Sequence, residues 1–173
     1  MQKKSCAFIG HQSQSLSPHP NEADEFCSAL KQELRTQIIR LIEDESVAHF
    51  ISGMSLGVDL YAAEIVLDLK VAYPDITLES AIPCESQAET WSDEQRDRYF
   101  DIAARCDKET LLQTRYTWDC IEKRNRYMVN HANMLLAVWD GTSGETSSTV
   151  RYARRHGKTV LVIDPLTLAV ACA

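Results

Sequence analysis

Phe50-Ile51-Ser52-Gly53-Met54-Ser55-Leu56-Gly57-Val58-Asp59-Leu60-Tyr61-Ala62-Ala63-Glu64 is the stretch that decides the fold. An apolar run from Val47 to Ile51 stops at small residues, two glycines follow, and a helical pattern begins at once. Val58, Tyr61, Ala62, Ile65, Val66 and Leu69 recur at the spacing of one helix face. The unit reads strand, glycine turn, helix. Without a Cβ at the turn, bare N–H groups can approach an anion, and the helix dipole favours negative charge there. Any strand-to-helix turn favours glycine, so the turn alone does not establish a ligand. Its G-x-x-x-G spacing is neither the dinucleotide fingerprint nor a Walker A loop, since no Gly-Lys-Ser/Thr follows.

The same alternation runs outward in both directions. Upstream, Ser5 to Ile9 reads as a short buried strand ending at Gly10-His11, followed by a polar loop from Gln12 to Pro20. Asn21 can cap the next helix, whose stripe is Phe26, Leu30, Leu34, Ile38 and Ile42. Downstream, Ile76 to Ile82 is a third strand, and Ser92-Asp93-Glu94-Gln95 is a capping box that starts a helix with Tyr99, Ile102, Ala103 and Cys106 inward. Glu109 to Gln113 reads as a strand, Trp118 to about Ala132 as a helix, and Met134 to Trp139 as the most strand-like run. A helix from about Thr146 to His156 closes at Gly157, and Thr159 to Ile163 is the last strand before Asp164-Pro165 ends the pattern. Continuous apolar strands alternating with helices predict a Rossmann-like, doubly wound α/β fold: a mostly parallel sheet with helices on both faces. One domain is expected, with its core over about residues 5–163 and a short tail, 164–173.

Composition narrows the function. A length of 173 residues with 45% hydrophobic residues suits one ordinary globular core. A formal charge of −7 makes DNA an unlikely partner, because phosphate-backbone binders need a basic face. The cations Arg151, Arg154, Arg155 and His156 sit where a helix C-terminus welcomes positive charge. No run approaches the roughly 20 apolar residues of a membrane span, and nothing suggests export. Six cysteines contain no C-x-x-C pair and five histidines no H-x-x-x-H pair, so reduced structural thiols, no metal site and a cytoplasmic location are expected.

In an open parallel sheet, ligands bind outside the carboxyl ends of the strands. Gly10-His11, Gly53 to Asp59, Pro83 to Gln87 and Asp140 to Thr146 all follow strands and would share that rim. After the second glycine loop, the hydroxyls of Thr146, Ser147, Ser148 and Thr149 meet free N–H groups at a helix start, a setting for a phosphate or small anion.

Several blocks together resemble a known family. They are Gly10-His11, Gly53-x-x-x-Gly57-Val58-Asp59-Leu60-x-Ala62-Ala63-Glu64, Tyr73-Pro74-Asp75-Ile76, Ile82-Pro83-Cys84-Glu85-x-Gln87, Lys123 to Val129, and Asp140-Gly141-x-x-Gly144. In this order they look like the YpsA-type proteins of the SLOG superfamily, whose Rossmann-like members include DprA and the LOG phosphoribohydrolases. The resemblance spans Ser5 to Ile163. It implies binding of a nucleotide or nucleotide-derived ligand, and for YpsA-type members no settled reaction.

Three departures from the family pattern bear on function. Gln12 stands where the family usually has arginine after Gly-His. The family's Gly-Gly-Thr loop reads Gly144-Glu145-Thr146 here, and a carboxylate at the helix start uses the dipole itself and repels a phosphate. Thr149 stands where LOG enzymes carry a glutamate. Phosphate binding is therefore expected to be weaker than in relatives, shifted, or replaced by a less charged ligand.

The candidate ligand-binding residues are Gly10, His11, Gly53, Ser55, Gly57, Asp59, Glu85, Arg124, Asp140, Gly141, Gly144 and Thr146. Asp59 can hold a ribose hydroxyl or its own loop. Glu64 reads as a solvated residue, and Arg124 and Arg126 as mid-helix cations, either of which can reach the rim. Asn125, on the apolar stripe, must be hydrogen-bonded and is expected to pin a loop. Trp91, Tyr116 and Trp118 can stack on a base, with core packing the commoner role. His11 can act as an acid or base. The leading expectation is a sensor or regulator that binds a nucleotide or ADP-ribose-like small molecule. Against it stand an enzyme acting at an N-glycosidic bond through Glu85, Asp59 or Asp140, and a protein-interaction scaffold. No catalytic residue or cofactor is assigned, and a homo-oligomer stays open.

Overall fold

The computed structural model describes residues 3–11 and 25–172. Among the described residues twelve elements follow one another, strand and helix alternating up to β6: β1 (Lys4–Gly10), α1 (Glu25–Glu43), β2 (Val47–Ser52), α2 (Val58–Leu69), β3 (Thr77–Ile82), α3 (Asp93–Arg105), β4 (Lys108–Leu111), α4 (Cys120–His131), β5 (Met134–Val138), α5 (Glu145–Arg155), β6 (Thr159–Ile163) and β7 (Val170–Cys172). One sheet has the order β4-β3-β2-β1-β5-β6-β7. Every pairing is parallel except the last, β6 with β7. The chain steps from β1 out to β4, then returns to place β5 on the other side of β1. That reversal is the switch point of a doubly wound sheet.

The strands divide their side chains between two cores with the period-two alternation of a pleated strand. Cys6, Phe8, Phe50, Leu78 and Leu136 pack against α1, α2 and α3. Ala7, Ile9, Ile51, Ala81, Leu135 and Ala137 pack against α4 and α5. Both faces are therefore buried, which is why the strands read as unbroken apolar runs. α2 is buried on nearly every side, Glu64 and Asp68 apart, because α1 and α3 flank it.

Several local details differ from the sequence reading. The buried stripe of α1 is Cys27, Leu30, Leu34, Gln37, Ile38 and Leu41, with Phe26 and Ile42 only partly covered. A helix turns every 3.6 residues, so a strict i+4 row drifts off the buried face. The capping box forms as expected, with Gln95 N donating to Ser92 Oγ and Ser92 N to Gln95 Oε1. The expected Asn21 cap and the loop from Gln12 lie outside the described residues. After Asp164-Pro165 the chain turns back and adds β7, three exposed residues whose pairing leaves no alternation to read. Among the described residues, no helix is long and apolar enough to cross a membrane. The six cysteines are free thiols, and burial pushes Cys6 up to about 12.

Candidate functional site

All the parallel strands point their carboxyl ends the same way, so the loops after β1, β2, β3 and β5 share one rim. Beneath it, the loop after β2 is built around one close approach. The Gly53 carbonyl accepts from two donors, Arg124 Nη1 from α4 and Gln87 Nε2 at 2.9 Å from the loop after β3. Arg124 Nη1 also reaches Ser55 Oγ at 3.0 Å, and Arg124 Nε reaches Asn125 Oδ1 at 3.0 Å. A Cβ on Gly53 would lie 2.6 Å from Arg124 Nη1 and 2.8 Å from Asp59 Oδ2, so only glycine fits between this buried cation and carboxylate. The turn then continues through Met54 (φ 59), whose N–H is held by Ser52 Oγ at 3.1 Å, to Gly57 at φ 93. That backbone suits glycine far better than a residue with a Cβ.

Asp59 opens α2 and is 2% exposed. Its Oδ2 accepts the Ser55 N–H at 3.3 Å, while Oδ1 is buried with no hydrogen-bond partner. Burial pushes the carboxyl up to about 6, against the pull of Arg124 and Ser55 and with a smaller push from the Glu145 carboxylate. Burial likewise lowers the Arg124 guanidinium, which Asp59 and then Glu145 support. Glu145, an exposed residue at the first turn of α5, thus acts on the pair beneath the β2 loop and links the two glycine turns electrostatically. Neither α2, capped by Gly57, nor α5, capped by Gly144, has a side-chain cap, so no capping side chain satisfies their first-turn N–H groups.

The switch point itself is spanned by His11 Nε2 and Asp140 Oδ1, 3.1 Å apart. Asp140 Oδ1 also accepts from Thr142 Oγ1 at 2.6 Å and Thr142 N at 3.0 Å. Those bonds, then His11, outweigh a slight burial and hold Asp140 down at about 2. His11 therefore has the carboxylate partner that the sequence did not place.

The candidate residues fall into groups. Gly53, Ser55, Gly57, Asp59 and Arg124 form one cluster, and Gly10, His11, Asp140 and Gly141 line the switch point. Gly10 packs so closely on Val58 that an added Cβ would lie 2.7 Å from it. Gly144 and buried Thr146 start α5. Glu85 stands apart: it is exposed and lines a groove beside α3 with Tyr99 and Glu109. Gln87, two residues on, is the side chain that joins the cluster, and the sequence marked it only within its motif.

Arg124, Glu64, Tyr116 and Trp118 depart from the commoner role expected for each, whereas Arg126 and Trp91 follow it. Arg124 is not a surface cation but 2% exposed, and it pins the loop with Asn125 as its support. Arg126 is exposed and pairs with Glu122. Glu64 is not merely solvated, since Arg98 Nε and Nη2 grip its carboxylate at 2.6 and 2.7 Å. Trp91 packs edge-on to Tyr99, but Tyr116 and Trp118 are 66% and 86% exposed, outside the core. Among the described residues, no group of three His, Cys, Asp or Glu side chains could hold a metal ion.

Comparison with known proteins gives this geometry a context. A UPF0398 protein of Brevibacillus brevis is 33% identical over 123 residues, 69% of this chain and 64% of the relative, so the chain spans less than two thirds of that protein. One from Bacillus cereus is 30% identical over 132 residues, 75% of this chain and 71% of its own. Among solved structures, DNA processing protein A from Helicobacter pylori, which binds single-stranded DNA, superposes with a TM-score of 0.59 at 21% identity over 93% of this chain and 65% of that one. DprA from Streptococcus pneumoniae gives 0.62 at 13% identity, over 94% and 50%. At those identities the likeness is one of fold. The YpsA family model, described as the YspA SLOG family, matches residues 6–168, and the chain therefore belongs to the YpsA-type SLOG family.

Proposed function

We propose that this chain binds a nucleotide or nucleotide-derived small molecule at the carboxyl-end rim and acts as a cytoplasmic sensor or regulator. The observation that carries the reading is the pair of glycine-started helices, α2 and α5, left without side-chain caps around the Asp59–Arg124 cluster. Open N–H groups at two helix starts suit an electron-rich ligand. The orphaned Asp59 Oδ1 suits a ribose hydroxyl, once the Ser55 loop moves to admit it.

A second reading has one observation in its favour. A carboxyl held near 6 is mostly ionised at pH 7 but exchanges its proton just below it, so Asp59 could assist cleavage of an N-glycosidic bond. Asp140, held near 2, stays ionised and tied to its loop and is poorly suited to donate a proton. The DNA binding of the Helicobacter structure transfers poorly to a chain of net charge −7.

Saturation-transfer proton NMR with AMP, ADP-ribose, NAD and adenosine, followed over hours, tests both readings. Binding without new peaks supports the sensor. A growing free-base signal would make the enzyme reading primary. Gly57→Val, and His11→Ala as a variant with little effect on packing, should each weaken the transfer; undiminished transfer in both would remove the site from the rim.

A further inference from the structure

The groove between α4 and α5 opens at the rim and holds cations that the rim lacks. Each helix follows a parallel strand, so both start at the rim, and they pack side by side. Two adjoining cavities of 340 and 310 Å³ run between them and share Glu122, Asn125, Ser148 and Thr149 in their walls. Small-molecule sites begin at about 300 Å³.

At the rim end stands Trp118, an indole 86% exposed. At the far end Arg126, Arg151 and Arg155 gather around Tyr152. With a rise of about 1.5 Å per residue, Arg151 lies about 9 Å and Arg155 about 15 Å along α5 from Glu145. The helix dipole accounts for Arg155 near the C-terminus of α5, but not for Arg126 and Arg151 in mid-helix. None of the three is firmly held. Arg126 pairs with Glu122 on its own helix, both side chains 56% exposed, and such pairs are weak in water. Arg151 gives one N–H to Ser147 Oγ at 3.3 Å, and Arg155 has no carboxylate partner among the described residues. Between the two ends, Asn125 is 4% exposed and lines both cavities, with its Oδ1 committed to Arg124.

The rim has the opposite balance. Asp59, Asp140 and Glu145 are acidic, and Arg124 is taken up by the loop it pins. We infer that the α4–α5 groove is the phosphate subsite of a nucleoside diphosphate, with its base toward Trp118 and its phosphates on Arg126, Arg151 and Arg155. This rests on the rim reading for the sugar, which would lie near the start of α5. It also removes the conflict between a phosphate and Glu145.

Calorimetric titration of the full chain with ADP, adenosine and inorganic pyrophosphate tests the assignment. The double variant Arg151→Gln, Arg155→Gln changes exposed side chains only. It should weaken ADP about tenfold or more, as expected for loss of charge-assisted hydrogen bonds, and leave adenosine unchanged. Trp118→Ala should weaken ADP and adenosine but not pyrophosphate. ADP affinity unchanged in the double variant yet lost in His11→Ala would overturn the groove and keep the rim reading. Affinity lost in the double variant but unchanged in His11→Ala would support the groove and count against the rim. No ADP binding to the unaltered chain at millimolar concentration would overturn both.

Discussion

Replacing Gly53 by alanine probes the packing under the rim. The new Cβ would sit 2.6 Å from Arg124 Nη1, 2.7 Å from its Cζ and 2.8 Å from Asp59 Oδ2. Neither neighbour can swing into solvent, because both residues are 2% exposed and Arg124 is bound to Gly53, Ser55 and Asn125. Overpacking a tight interior costs about 1–3 kcal/mol. Pushing the guanidinium off the Gly53 carbonyl forfeits a charged hydrogen bond of about 1.5–3 kcal/mol. One displacement causes both losses, so they overlap, and about 3 kcal/mol is expected. In a chain of this size that lowers the melting temperature by roughly 6–12 °C. Urea unfolding followed by circular dichroism measures it directly. Gly141→Ala is the control: its φ is 88 but an added Cβ meets nothing within 4 Å, so it isolates backbone strain of about 1–2 kcal/mol. A Gly53→Ala loss under about 0.5 kcal/mol, or one no larger than the control's, would show that Arg124 is free to move aside and would refute the close-packed cluster.

Two further predictions concern pH. Asp59 has its folded-state value raised from 3.8 to about 6, so its protonated form favours folding and that stability is lost as pH rises from about 4 to 6. The stability of the unaltered chain relative to Asp59→Asn should fall by about 3 kcal/mol across that window, and a flat difference would mean that Asp59 is solvated. Glu79 behaves oppositely. Burial pushes it up, but hydrogen bonds from His49, Thr110, Tyr127 and Lys108 win and hold it at about 2. Its contribution is present above pH 4.5 and is lost as pH falls toward 2. Glu79→Gln should therefore cost about 1.5–3 kcal/mol at pH 7, with the difference closing in acid. An equal cost at pH 7 and pH 3 would show that shape rather than charge holds the cluster.

Glu79 also illustrates what a linear reading misses. Its four partners come from β2, β4 and α4, and nothing near it in the chain announces them. Arg124 is a similar case. Mid-helix arginines are usually solvated, and its burial depends on a glycine carbonyl 71 positions away. Trp118 errs in the other direction, because a tryptophan near a helix start is more often packed than exposed.

The sequence by itself determined the alternation of strands and helices, the burial of both sheet faces, the glycine turns and the family, since each depends on periodicity, local backbone preference or ordered motifs. Only the tertiary structure decided which charges pair. It set Asp59 beneath Arg124, His11 against Asp140, Gln87 on Gly53, and a row of arginines along the α4–α5 groove. Local patterns act over a few residues, where propensity and spacing suffice. A buried charge is settled by desolvation and by partners brought from distant strands, and those distances exist only once the sheet has wound.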